Sequence, residues 1–129
     1  MVTRQEQLGA NISGDCLMVL FIPSVDRDEV AIDQEAWVTA ALKILGAYFG
    51  GGTAFPQGRG VWRDDSRGGL LIFDEPTLIQ CYTTGALVDQ HLEALRDFMV
   101  QMGRETKQGA VGIVIDQVYY EISLGGQSP

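Results

Sequence analysis

The residues best suited to chemistry crowd into one stretch. Between positions 50 and 69 the chain carries Arg59, Trp62, Arg63, Asp64, Asp65 and Arg67 among glycines at 50–52, 58, 60, 68 and 69. Glycine lets the backbone approach a bound molecule closely, and arginine grips a carboxylate or phosphate through paired N–H groups. This stretch is therefore the leading candidate for a ligand-binding loop, with Arg59, Trp62 and Arg63 as contacts. It is not a nucleotide loop: Gly50-Gly51-Gly52 follows a helical stretch instead of opening one, and no Gly-x-Gly-x-x-Gly or Gly-Lys-Ser stands at a strand end. A helix stop and a hairpin turn would account for the same residues. Glu75, beside Pro76, and the pair Arg104-Glu105, placed after a helix end, complete the candidate ligand contacts. Either carboxylate can act as a general base, and Arg104 can anchor an anion.

Other reactive side chains read as structural. His91 is the single histidine and sits at the margin of an apolar helical stripe, which favours packing over catalysis. Cys16 opens one apolar run and Cys81 closes another, so both read as reduced, buried thiols. Antiparallel neighbours would bring those two positions close, which leaves a redox pair as the alternative. One histidine and two separated cysteines do not make a zinc site, and no pattern calls for a cofactor. Trp62, Tyr82, Tyr119 and Tyr120 can line a pocket or serve as core and dimer contacts. Tyr119 and Tyr120 are consecutive in a β run, so they face opposite sides of a sheet.

The elements that must hold these residues follow from periodicity and caps. Residues 16–22 form an unbroken apolar run stopped by Pro23, the mark of a central strand. Trp37, Ala40, Ala41, Ile44, Leu45 and Tyr48 repeat at helical spacing behind Asp33 as N-cap, with Gly50 as stop. Residues 53–60 read as loop, 61–63 as a short strand, 64–69 as a turn, and 70–73 with 77–82 as a long strand broken at Glu75-Pro76. Leu87, Val88, Leu95, Phe98, Met99 and Met102 trace a second helix, capped by Thr83 or Thr84 and stopped by Gly103. Residues 110–115 and 118–122 are β runs joined at Asp116-Gln117. The order predicts an α+β ferredoxin-like plait (βαββαβ) with an additional C-terminal strand, its helices on one face of an antiparallel sheet.

Bulk properties set the frame. A chain of 129 residues, 46% hydrophobic and 20% charged, is the size of one domain with its own core. We expect a flexible arm over 1–14, a single domain over 15–124 and a frayed end over 125–129. A net charge of -8 opposes nucleic-acid binding, although Arg59, Arg63 and Arg67 form a local basic group. No apolar stretch approaches the ~20 residues of a membrane span, and no signal peptide is visible, so the expected compartment is the cytoplasm. The open sheet face carries apolar residues, from which a homodimer through that face is expected.

Phe55-Pro56-x-Gly58, Gly60-x-Trp62-Arg63-Asp64 and Glu75-Pro76 follow one another in an order that resembles a bacterial family of small ferredoxin-like proteins of unknown function. The resemblance implies a shared plait and draws Arg59, Trp62, Arg63 and Glu75 into one spatial group; it implies no activity. The expected function is a dimeric binding module for a small anionic or polar ligand. The alternatives are a protein interaction module without a ligand, and a small enzyme with Glu75 or Glu105 as general base.

Overall fold

In the computed structural model, which describes residues 1–124, the first apolar run becomes strand β1 (Cys16–Ile22) at the centre of a five-stranded sheet. Its alternate residues Cys16, Met18, Leu20 and Ile22 are buried, whereas Leu17, Val19 and Phe21 stay half exposed on the other face. The remaining strands of that sheet are β2 (Thr53–Phe55), β5 (Thr77–Thr83), β6 (Ala110–Ile115) and β7 (Val118–Ser123). They lie in the order β2-β5-β1-β6-β7, every neighbouring pair antiparallel. Strands β3 (Gly60–Asp64) and β4 (Leu70–Asp74) pair only with each other, as a separate two-stranded hairpin.

Helices α2 (Gln34–Phe49) and α3 (Gly85–Glu105) bury their apolar stripes against one face of the large sheet. The side chain of Asp33 accepts from the Ala36 N–H and starts α2; Gly50, at φ 96°, ends it in the left-handed conformation that glycine adopts without strain. Thr84 caps α3 through the Leu87 N–H. Met18, Leu20, Ile22, Ile79, Leu45 and Leu95 meet between the layers and are almost fully excluded from water. Each such side chain stabilises the fold by roughly 1.5–3 kcal/mol.

Several expectations are corrected. The arm over 1–14 contains a helical turn, α1 (Arg4–Leu8), because Thr3 and Glu6 form a capping box and Gly9 closes the turn. Residues 53–55, expected in a loop, form strand β2 at the sheet edge. The strand at 61–63 lies outside the main sheet, in the hairpin. Gly103 does not stop α3. It is buried within the helix, where a Cβ would stand 2.5 Å from Leu124 Cδ1 and 2.9 Å from Val111 Cγ1, so its role is close approach to β6. Arg104 and Glu105 are in consequence the last turn of a helix and not a loop. The expected frayed end at 125–129 lies outside the described residues. No helix among the described residues is long and apolar enough to cross a membrane.

Candidate functional site

The hairpin builds the site by leaning over the sheet face that the helices leave open. Strand alternation puts Trp62 and Ile72 on its inner side and Val61, Arg63, Leu71 and Phe73 on its outer side. Ile72 is 2% exposed, yet it lies outside the main core, so the hairpin carries a small apolar contact of its own. Polar links do the rest of the positioning.

At the turn end, Asp64 accepts from the Ser66 N–H and hydroxyl, from Arg67 Nε at 2.8 Å and from Arg27 at 3.1 Å. These hydrogen bonds, that of Ser66 first, hold the Asp64 carboxyl well below the usual carboxylate range. Arg67 also pairs with Asp28 and donates to the Arg27 carbonyl, tying the hairpin turn to the loop after β1. At the open end, the Ser24 N–H and hydroxyl donate to Asp74 Oδ1 at 2.8 and 2.5 Å, and Ser24 Oγ accepts from the Glu75 N–H at 2.9 Å. Gln34 Nε2 donates to the carbonyls of Ile22 and Glu75, each at 3.0 Å. The Gly58 N–H donates to the Pro76 carbonyl at 2.7 Å, which joins the Phe-Pro-x-Gly and Glu-Pro segments in space.

Between hairpin and sheet lies a cleft of about 520 Å³, within the range typical of small-molecule sites. Phe21, Leu78 and Tyr119 from β1, β5 and β7 line it, and Arg59, Trp62 and Arg63 stand along the hairpin side. The Tyr119 ring meets Phe21 edge-on, with centroids 6.1 Å apart at 77°. It lies flat across β6 because residue 112 is glycine: a Cβ there would overlap the Tyr119 phenol. Burial, and secondarily the Glu121 carboxylate beside it, push the Tyr119 phenol up from its ordinary value. A second hollow of about 530 Å³ adjoins, lined by Arg59, Gly60, Val61, Phe73, Asp74 and Glu75.

Of the residues expected to group together, Arg59, Trp62 and Arg63 line the first cleft, whereas Glu75 lines only the second hollow, with Arg59. Arg63 is engaged by Asp65 at 2.5 Å, both side chains being mostly exposed; Arg59 has no ion pair among the described residues. Arg104 and Glu105 line neither cleft: both are exposed on α3, and Glu105 accepts from Gln101 Nε2 at 2.8 Å. The glycine triplet is also separate, bordering a different hollow with Phe55, Gln80 and Tyr82. Residues 50–69 are thus not one loop but two unrelated surfaces. His91 stacks on Tyr48 with centroids 4.6 Å apart, as a packed histidine. Cys16 and Cys81 are buried free thiols whose pKa values burial raises; Cys16 faces Thr83 and Cys81 faces Met18, so the two are offset and not directly opposed. Among the described residues no group of three or more His, Cys, Asp or Glu side chains could hold a metal ion.

Sequence reasoning missed Phe21, Leu78, Gly112 and Glu121. The first two read as ordinary strand residues, and only the hairpin above them makes them a lining. Glu121 had a readable signal, since it shares the parity of Tyr119 on β7.

The sequence matches no family profile, and no curated protein matches it. Among solved structures, a phage SAM lyase in complex with S-methyl-5'-thioadenosine is similar, with a TM-score of 0.66 and 16% identity over 90% of this chain and 95% of that chain. A phage SAM lyase in the apo state is similar with a TM-score of 0.60 and 14% identity over 87% of this chain and 91% of that chain. What these proteins share with this chain at such identity is the fold.

Proposed function

We propose that the cleft beneath the hairpin binds a small molecule with a flat aromatic end, and that this molecule is a thioadenosine-type nucleoside. The observation that carries the reading is the convergence of Phe21, Trp62 and Tyr119 from three elements on one cleft of about 520 Å³. The fold match supports it, since a similarly folded phage SAM lyase holds S-methyl-5'-thioadenosine. Stacking a base on an aromatic side chain is worth roughly 1–3 kcal/mol. Glu121 supplies an acceptor for ribose or amino groups at the cleft wall, and the apolar Leu78 and Pro76 suit a methylthio group. The strand order supports assigning the frame to the ferredoxin-like plait, with the β3–β4 hairpin inserted before β5 and β7 added at one edge.

Thermal denaturation with increasing S-methyl-5'-thioadenosine tests the reading. A ligand that binds only the native state at 100 times its Kd adds about 2.7 kcal/mol, a rise of several degrees in Tm. Trp62→Ala should abolish that rise while leaving the unliganded protein folded; no rise in the parent protein would sink the reading. The lyase neighbours favour an enzymatic extension in which a sulfonium substrate loses its thioether. When the bond from sulfur to the amino-acid chain breaks, its electron pair stays on sulfur, S-methyl-5'-thioadenosine leaves neutral, and the substrate's own carboxylate oxygen bonds the carbon it leaves, closing a lactone. Chromatography of SAM incubated with the protein checks this, with S-methyl-5'-thioadenosine as the expected product.

A second reading as an interaction surface is favoured by the hairpin's outer face, where Val61, Leu71 and Phe73 are 51%, 51% and 61% exposed. We also propose that a second copy of the chain covers the sheet face beyond the hairpin, where Leu17, Val19 and Val114 are half exposed beside Tyr82.

A further inference from the structure

We infer that the outer edge of β7 is an interface for a second copy of this chain, whose own β7 pairs with it antiparallel about a twofold axis at Tyr120, so that the two sheets run on as one. This edge is distinct from the sheet face beyond the hairpin.

The contrast between the two edges of the sheet comes first. Backbone N–H and C=O groups along an edge strand invite pairing, and proteins blunt such edges with short strands, proline, lysine or bulges. At one edge, β2 has three residues and is followed by Pro56. At the other, β7 runs for six residues without proline, lysine or glycine, and its register with β6 is unbroken. Val118 and Tyr120 face the helix side, opposite Ile115 and Ile113, yet each is 50% exposed, so the helix layer stops short of this edge.

The ladder decides which backbone groups point outward. The Leu124 N–H donates to the Gly109 carbonyl at 3.0 Å. Antiparallel bonding alternates along a strand, so Val118, Tyr120 and Ile122 also turn their backbone groups to β6, and Tyr119 and Glu121 turn theirs to the edge. Those outward groups have no partner among the described residues. A twofold pairing that uses most of the strand must centre on Tyr120 or Glu121, and Glu121 at the axis would oppose two carboxylates. Centred on Tyr120, the outward groups of Tyr119 meet those of the other copy's Glu121 as hydrogen-bonded pairs. On the helix side Val118 meets the other copy's Ile122, and the two Tyr120 rings meet at the axis. On the cleft side each Glu121 carboxylate meets a Tyr119 phenol, an acceptor facing a donor. Tyr119 and Glu121 line the cleft, so the other copy brings a phenol and a carboxylate to the border of each one.

Cysteine cross-linking of the full chain tests the pairing. Tyr120→Cys sets two sulfurs at the axis in a non-hydrogen-bonded pair, with Cα atoms ~4.5 Å apart, within the span of a disulfide. Val118→Cys is the matched control, because it is equally exposed but faces the other copy's Ile122. With oxidised glutathione as oxidant, Tyr120→Cys should form a covalent dimer on non-reducing gels at least about tenfold faster than Val118→Cys. The parent protein, whose Cys16 and Cys81 are buried, should form none. Adding Glu121→Pro to Tyr120→Cys removes an outward N–H while sparing the bonds to β6, and should abolish the cross-link, with far-UV circular dichroism confirming the fold. Equal rates at positions 118 and 120, no cross-linked dimer at all, or a cross-link that survives Glu121→Pro would each overturn the pairing. The comparison of 118 with 120 decides the matter even where Glu121→Pro fails to fold.

Discussion

Asp64 shows how much of the site hangs on one side chain. Its carboxylate gathers Ser66, Arg67 and Arg27, and its own side chain is only 13% exposed. Because its folded pKa is depressed, its contribution is complete above the ordinary aspartate value of ~3.9 and is lost as pH falls below it. Asp64→Asn should lower the urea midpoint at pH 7, and the gap between variant and parent should shrink towards pH 3. A gap independent of pH would show that the charge on Asp64 is not what matters. By contrast, Arg63–Asp65 is an exposed pair, with side chains 68% and 72% accessible, and water screens most of its attraction.

At the level of elements, two glycines inside helices give opposite expectations. Gly46 in α2 is exposed and a Cβ there meets nothing within 4 Å, so Gly46→Ala should stabilise by about 1 kcal/mol through helix propensity alone. Gly103 in α3 faces Leu124 and Val111, so Gly103→Ala should destabilise by roughly 1–3 kcal/mol from overpacking despite the same gain. Thermal midpoints of the two variants check both signs. The contrast also explains what the sequence made legible. Helices α2 and α3 were readable because their stripes and the caps Asp33, Gly50 and Thr84 agree. Gly103 misled because glycine ends helices more often than it lets one approach a strand, and pattern cannot tell the two apart. Strand β2 was hidden by its length, three residues before Pro56, too short for any period to show. Arg59, Trp62 and Glu75 stand out by residue type as candidates, whereas Phe21 and Leu78 join the cleft lining only through a hairpin distant in sequence.

For the whole molecule, the unresolved balance lies between an apolar sheet face and a strongly acidic surface. If a second copy covers Leu17, Val19 and Val114, each copy brings a charge of -8, and repulsion opposes the contact. Association should therefore strengthen with added salt, and Val19→Lys should abolish it, as sedimentation equilibrium at several salt concentrations would measure. A monomer at every concentration and ionic strength would exclude that contact. The hairpin, meanwhile, sits outside the main core and is fastened chiefly by Ser24, Arg27, Gln34 and Arg67. Frame and hairpin are thus fastened by different means, apolar burial for one and hydrogen bonds and ion pairs for the other. Exchanging the inserted ribbon for another of equal length would re-tailor the cleft's upper wall while sparing the scaffold beneath it.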